Sequence, residues 1–292
     1  MTPPGLAEAA PSPLILQMEA AERQHRLSFR AQFLLTWAVI LALIGGFLAL
    51  AVGVNVGFLQ KWAPYILGGV PMTLFISVTS IALAVVLAIF GALGRLSTNP
   101  IFNGIATLYV SLVRGTPLIV QIYFIYLALP AAGVIIPELP SGVIALAFNY
   151  GAYLTETFRG GIQAVPAGQV EAARSLGMAQ RTVMRRVVLP QAMRIIVPPT
   201  ANQTVAMLKN TSLVSVLGAA ELLHSAQIIY SRTYQTIPLL IVAALWYLAM
   251  TTVLSIGQYY IERRYRRGDI GGGRIRLRRS KPAPVDVMGV PS

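Results

Sequence analysis

The chain has 292 residues, of which 55% are hydrophobic and only 11% are charged. Water-soluble globular domains carry about 25% charged residues, so this composition excludes an ordinary soluble protein. The formal net charge of +13 suggests nucleic-acid binding, but fifteen of the 23 lysines and arginines lie in the segments 158–197 and 263–281. Such clustering is typical of the cytoplasmic loops of membrane proteins. We therefore expect contact with a lipid bilayer and none with nucleic acid.

Six segments are apolar and long enough to cross a bilayer, which takes about 20 helical residues. The first is 22 residues long, too long for the core of a signal peptide, so we expect it to remain as an additional N-terminal transmembrane helix. The predicted fold is thus an all-α polytopic membrane protein. The six predicted spans are 33–54, the part of 62–94 that follows about Thr73, 105–129, 141–157, 198–220 and 236–260.

Basic loops stay on the cytoplasmic side, which orients the chain. The 158–197 loop and the C-terminal tail are then cytoplasmic, and six spans place both termini in the cytoplasm. Four parts follow from this reading. They are a cytoplasmic segment 1–32, the additional helix 33–54, a transmembrane domain 65–264 and a basic tail 265–292, which we expect to be disordered.

Chemistry-bearing motifs are scarce. The chain has no cysteine and two distant histidines, His25 and His224, so we expect no disulfide and no metal site. It also lacks a GxxxxGK[ST] phosphate loop, a GxSxG elbow and an HExxH helix. We therefore predict that this chain is not an enzyme, has no catalytic residues and binds no cofactor itself.

The cytoplasmic loop contains the most informative segment, residues 166–190. Pro166 is suited to open a short helix that Gly177 ends. A second amphipathic helix follows, with four apolar residues within about 140° of arc opposite three arginines. We expect Pro190 to end this second helix, because proline lacks the N–H that a helix needs.

The spacing of Glu171-Ala172-Ala173, Gly177 and Leu189-Pro190 resembles the EAA loop of binding-protein-dependent ABC permeases. Flanking motifs look like the branch of that family that takes up polar amino acids such as histidine, glutamine, glutamate and arginine. The resemblance covers roughly residues 65–264. These flanking motifs are Arg114-Gly115-Thr116-Pro117-Leu118, the segment from Ala152 to Gly161, Leu189-Pro190-Gln191-Ala192 and Lys209-Asn210-Thr211-Ser212-Leu213.

The resemblance implies a type I importer permease with a five-helix core, in the bacterial cytoplasmic membrane. Its implied partners are a second permease, identical or related, two ABC ATPase subunits that bind ATP and Mg, and an external solute-binding protein. The implied substrate is a polar amino acid. The EAA helix would lie in a cleft of the ATPase and transmit its closure, with small alanines allowing close approach. The implied coupling residues are Glu171, Ala172, Ala173, Leu176 and Gly177.

Charged and polar residues at membrane depth are costly and need a partner or a function. Glu156 is positioned to pair with Arg114 or with Arg159, and Lys209 lies about 16 Å into its predicted span, near the midplane. Lys209 lacks the acid that commonly follows it in the family. Helix packing is the alternative role for each residue. The candidates for the substrate pathway are Asn149, Tyr150, Glu156, Lys209, Asn210, Thr211 and Ser212.

Two other classes of function remain open at this point. A secondary transporter or channel would need intramembrane acids for ion coupling, and Glu156 is the acid available within a predicted span. A membrane-anchored scaffold or nucleic-acid-binding protein would act through the basic tail. Deletion of the residues beyond Arg267 separates these classes, because a permease should keep its transport activity.

Overall fold

The computed structural model describes residues 56–266 and eight scattered positions between 32 and 46. Most of the predicted additional helix 33–54 and nearly all of the tail 265–292 therefore lie outside the described residues. By its internal contacts the chain divides after Trp62, and the fold below is that of the second unit, from Ala63 onward.

Residues 56–266 form helices joined by short connections, with no strand in this range. The predicted all-α fold class is confirmed. Two helices contain a π-helical turn, Phe124–Ala128 and Met184–Val188, and the longer of them ends in a 3-10 segment, Thr211–Leu217. The helices are α1 Val56–Leu67, α2 Val70–Arg95, α3 Pro100–Arg114, α4 Leu118–Ala131, α5 Glu138–Gln163, α6 Ala167–Ser175, α7 Gln180–Leu217, α8 Leu222–Thr233 and α9 Thr236–Arg266.

The central contact of the fold is between α2 and α5, which pack along much of their lengths. Small residues allow the two backbones to approach closely, as is common for helices in membranes. A Cβ atom at Gly91 of α2 would lie 2.2 Å from Oγ1 of Thr155 in α5, a distance that no side chain tolerates. Helix α7 packs against α5 and α9, and α8 packs against α9, so α5 lies at the centre.

The outward surface of the helices is apolar. Large side chains such as Phe90 of α2, Ile101 of α3 and Val253 of α9 are mostly exposed. A soluble monomer rarely exposes contiguous apolar surface on this scale. The pattern is that of a protein whose surroundings are lipid.

Within residues 56–266, two helical stretches are long and apolar enough to cross a membrane, Gly57–Arg95 and Thr236–Tyr265. They contain the second and sixth predicted spans. Helix α5 contains the fourth predicted span and is 26 residues long, about 39 Å at 1.5 Å per residue. It is less apolar, because polar side chains interrupt its sequence, and many of these are buried against neighbouring helices.

The third predicted span, 105–129, is not one straight helix. Helices α3 and α4 meet at an angle of 108°. The break lies at Pro117, which has extended backbone angles (φ −63°, ψ 138°) and cannot donate a backbone hydrogen bond. A proline also disfavours helical angles at the residue before it, here Thr116. The pair forms either a broken span or a re-entrant segment.

The prediction that Pro190 ends a helix is wrong. Helix α7 begins at Gln180, well before the predicted span start at 198, and continues through Pro190. A π turn precedes the proline, and within it the Leu189 N–H donates to the Met184 carbonyl, five residues back. This wider turn moves the preceding carbonyls away from the place where a proline ring would clash with them.

The connection between the predicted spans 198–220 and 236–260 is also largely helical. Helix α8, Leu222–Thr233, follows α7 after a bend of 44°. Gly218 at the bend has a φ of +87°, which favours glycine. The Glu221 side chain caps α8 by accepting a hydrogen bond from the His224 N–H.

Candidate functional site

Helix α6 is the short helix that carries the EAA sequence. It follows Pro166, whose backbone is extended, and it ends at Ser175. Gly177 has a φ of +76°, and its N–H donates to the Arg174 carbonyl at 2.8 Å. Glycine adopts this left-handed conformation without the strain that a Cβ would cause, so the helix ends at the position the sequence predicted.

One side of α6 packs on its own chain. Ala173 is only 6% exposed, whereas the sequence interpretation placed it on the surface that another protein would approach. That part of the interpretation is wrong, because the small side chain of Ala173 instead allows α6 to lie close to α7. We call this apolar group the α6 base. Its buried members are Val165, Ala173, Val183, Val188, Ala192 and Ile196.

The other side of α6 is open. Glu171 and Ala172 are exposed, and Leu176 is 82% exposed although it is apolar. Four of the five predicted coupling residues, counting Gly177, therefore lie on the accessible surface. This surface combines one carboxylate, one small residue and one large apolar side chain on a helix whose opposite side is held by the α6 base.

A charged cluster lies where α5 leads into α6. The Glu156 carboxylate accepts hydrogen bonds from Nε of Arg95 at 3.1 Å and from Nη2 of Arg159 at 2.6 Å. Of the two predicted partners, the structure pairs Glu156 with Arg159 and not with Arg114. The Arg114 guanidinium instead lies over the Tyr153 ring, 5.1 Å from its centroid, where a cation–π interaction holds it.

Arg95 was missed by the sequence interpretation. It is the last residue of α2 and lies 61 positions before Glu156, so no local spacing relates the two. The signal available was an arginine at the predicted cytoplasmic end of a span. That is also the ordinary place for an unpaired cation, which is why the signal was not informative.

The predicted polar clusters of the fourth and fifth spans are brought together. The Asn210 Nδ2 in α7 donates to the Tyr150 hydroxyl in α5 at 2.8 Å. Next to Tyr150, the buried Asn149 donates through Nδ2 to Oε1 of Gln121 in α4, at 3.1 Å. Gln121, which the sequence interpretation missed, is a polar residue inside an apolar helix and extends this polar row across three helices.

The other candidates of the pathway differ in accessibility. The Lys209 side chain is exposed. Thr211 is fully buried and donates to the Leu208 carbonyl at 2.7 Å, and Ser212 donates to the Lys209 carbonyl at 2.7 Å. These two hydroxyls satisfy backbone carbonyls where α7 changes from α-helical to 3-10 geometry. Lys209 and Asn210 are therefore the members of this segment whose side chains point away from their own backbone.

A second carboxylate, missed from sequence, lies in a polar junction of α2, α8 and α9. Glu221 is fully buried and accepts hydrogen bonds from the Tyr247 hydroxyl at 2.5 Å and the His224 N–H at 2.6 Å. The Leu222 N–H donates to Oγ1 of Thr73 at 3.0 Å. Each donor to Glu221 is neutral, so this junction differs in kind from the Glu156 cluster.

Metal binding has no structural support in residues 56–266, where no three His, Asp or Glu side chains come close enough to share an ion. The polar groups of this region that are buried all have hydrogen-bond partners.

Comparison with known proteins bears on the whole domain. The family described as "Binding-protein-dependent transport system inner membrane component" matches residues 80–267. An arginine transport system permease protein of Corynebacterium glutamicum, ArgU, is 38% identical over 285 residues, covering 91% of this chain and 87% of that protein. The histidine/lysine/arginine/ornithine permease HisQ of Escherichia coli is 36% identical over 218 residues, covering 71% and 96% of the two chains.

A solved structure of an amino acid ABC transporter, crystallised with histidines, is similar to this chain. The sequences are 40% identical, the TM-score is 0.69, and the match covers 72% of this chain and 99% of the other. The predicted permease fold and the predicted family are both confirmed. The family match covers more than half of the chain, and the similarity to ArgU extends over 91% of it. The chain therefore belongs to the inner-membrane components of binding-protein-dependent transport systems.

Proposed function

We propose that this chain is the membrane-spanning permease subunit of an ATP-binding cassette importer for a polar amino acid. The relatives named for arginine transport and for histidine, lysine, arginine and ornithine transport support this substrate class. ATP and Mg are bound by a separate ATPase subunit, and this chain itself catalyses no reaction. The observation that carries the proposal is α6, a short helix exposed on one side and anchored on the other.

The coupling surface is formed by Glu171, Ala172, Leu176 and Gly177, with Ala173 anchoring it from below. Leu176 is an apolar side chain exposed at the end of a helix, which suits insertion into a cleft of another protein. The α6 base gives the helix rigid support, so a force applied to it is passed on rather than absorbed.

The remaining partners are those that membership of the family implies. A second permease subunit, identical or related, completes the translocation unit, and an external solute-binding protein delivers the amino acid. The chain lies in the bacterial cytoplasmic membrane with α6 and both termini in the cytoplasm. The exposed arginines near α6, Arg181, Arg185 and Arg186, support this orientation.

The domain limits remain those proposed from sequence. The transmembrane domain occupies residues 65–264, with the coupling loop at 158–197, and residues 33–54 add one further span. The basic tail 265–292 lies against anionic lipid headgroups, where each cation contributes about 1 kcal/mol.

The substrate path runs beside the polar row of Gln121, Asn149, Tyr150 and Asn210. Lys209 is exposed next to this row and is suited to contact a substrate carboxylate. Glu156 is not part of the path, because two arginines already bind its carboxylate. The family and the named relatives support the importer over an ion-coupled secondary transporter, the alternative left open from sequence.

The test is transport by the assembled complex. The permease is co-expressed with its ATPase and binding protein, reconstituted in vesicles, and supplied with radiolabelled arginine, histidine or glutamine. We expect Glu171→Lys to keep membrane insertion and to abolish ATP-dependent uptake, because a cation replaces the carboxylate on the coupling surface. Glu138→Lys, an exposed glutamate at the other end of α5, is the matched control. Uptake by Glu171→Lys at the wild-type rate would contradict the proposal.

A further inference from the structure

The cluster around Glu156 connects three helices at the end of the domain next to α6. Glu156 lies in α5, and Arg95, which binds it, is the last residue of α2. Arg95 also donates through Nη1 to Oγ1 of Thr107 in α3, at 2.5 Å. One carboxylate therefore links α5 to α2 and, through Arg95, to α3.

The same end of α5 is fixed to α6. Phe158 and Ile162, two and six residues after Glu156, pack against the α6 base. A Cβ atom at Gly161 would lie 2.4 Å from Cγ1 of Ile196, so α5 and α7 are in direct contact at this level. Close-packed interiors transmit displacement because they contain little free space. A movement of α6 must therefore also move the last turns of α5.

The contact between α5 and α2 continues this connection. Gly91 of α2 lies against Thr155, the residue directly before Glu156, and Arg95 lies one helical turn after Gly91. The Arg95–Glu156 ion pair thus joins α2 to α5 beside this contact. With the pair intact, a movement of α5 would carry the end of α2 with it, and without the pair α5 would slide past α2.

Resting on the proposed function, we infer that Glu156 is a positioning residue that transmits movement of α6 to α2 and α3, with Arg95 as its counterpart on α2. The side chains of Arg95, Glu156 and Arg159 are 23%, 18% and 28% exposed. Ion pairs that are partly open to solvent contribute little to folding. The cluster therefore affects motion more than stability, and the two are separable by experiment.

The chain has no cysteine, so introduced cysteines can carry spin labels at chosen places. Gln235→Cys, in the turn before α9, carries the reference spin label. Its distance to a label at Gly168→Cys reports on α6, and its distance to a label at Thr98→Cys reports on the turn between α2 and α3. Both distances are measured in the complete complex with its ATPase, without nucleotide and after trapping with ATP and vanadate.

In the native background we expect trapping to change both distances. In Glu156→Gln, which keeps the shape of the side chain and removes its charge, the α6 change should persist while the change at Thr98 is lost. Uptake per ATP hydrolysed should fall about fivefold to tenfold, within the usual range of coupling between sites. The matched control is Glu138→Gln, at the far end of α5, where the native carboxylate accepts a hydrogen bond from the Tyr126 hydroxyl. This variant should leave both distance changes as they are in the native background.

A second pair of variants covers the case in which Glu156→Gln fails to assemble. Arg95→Gln leaves Glu156 bound to Arg159 and should reproduce the loss at Thr98, while Arg95→Lys keeps a cation and should restore most of it. If Glu156 and Arg95 had only a structural role, Glu156→Gln and Arg95→Gln would alter unfolding, and the distance changes at Gly168 and Thr98 would be affected alike. An unchanged Thr98 response in Glu156→Gln or Arg95→Gln, or no response at Thr98 in the native background, would overturn the inference.

These outcomes differ from a failure of the proposed function. If the native complex shows no movement of α6 on nucleotide trapping and no ATP-dependent uptake, the importer assignment itself fails. If α6 moves and uptake depends on ATP, the assignment holds, and the Thr98 distance alone decides the role of Glu156.

Discussion

Two carboxylates that join helices within residues 56–266, Glu156 and Glu221, are held in opposite ways. Glu156 is partly exposed and bound by two arginines, whereas Glu221 is fully buried and bound by a tyrosine hydroxyl and a backbone N–H. A charge pair near solvent is weak and adjusts easily, but a buried carboxylate with neutral donors tolerates little change. From this difference we expect the Glu221 junction to matter most for the stability of the fold and the Glu156 cluster to matter least.

Removal of the Glu221 side chain should have the largest effect on stability. Glu221→Ala removes the cap of α8, leaves the buried Tyr247 hydroxyl without its acceptor and creates a cavity. We expect a loss of about 3 kcal/mol in the free energy of unfolding. Unfolding of the detergent-solubilised protein measures this, with Glu138→Ala as the exposed control. Equal unfolding curves for the two variants would show that the junction is not structural.

The end of α6 should show an intermediate effect. Gly177→Ala places a Cβ on a residue with a φ of +76° in otherwise open space, so strain alone should cost about 1 kcal/mol. Amide hydrogen exchange in α6 should become faster. Gly168→Ala, within α6 and also in open space, is the control and should slow exchange slightly, because alanine favours helix. Similar exchange in both variants would mean that the left-handed turn does not hold α6.

The smallest stability effect is expected at the charged cluster. Glu156→Gln should change the free energy of unfolding by less than about 1 kcal/mol, because its side chain is partly open to solvent. Unfolding of Glu156→Gln and of Glu221→Ala is measured in the same detergent, so the two losses in free energy can be compared directly. A loss as large as that of Glu221→Ala would remove the distinction between a fixing and a connecting carboxylate.

Local signals in the sequence were sufficient to predict helix α6 and the family. Pro166 and Gly177 act within one or two residues of the helix ends, so the bounds of α6 follow from them directly. The rule applied to Pro190 was equally local, but its outcome depends on the π turn before the proline. No simple spacing of residues in the sequence predicts such a turn.

Contacts between distant residues could not be predicted. Arg95 and Glu156 are 61 positions apart, and Glu221 and Tyr247 are 26 apart. The pairing of Arg114 was open from sequence because both arginine and glutamate lay near the predicted cytoplasmic ends of their spans. The structure resolves it through the neighbouring Tyr153 ring, which no charge-based argument considers.

The most direct test of the account is whether α6 contacts the ATPase. Leu176→Cys and Ile135→Cys each place a single thiol on a chain without cysteines, at positions of nearly equal exposure, 82% and 83%. A short thiol-directed photo-crosslinker is attached in membranes that contain the whole complex. The account predicts a covalent adduct with the ATPase from Leu176→Cys and none from Ile135→Cys, in the connection between α4 and α5. No adduct from Leu176→Cys, or equal adducts from both, would contradict it.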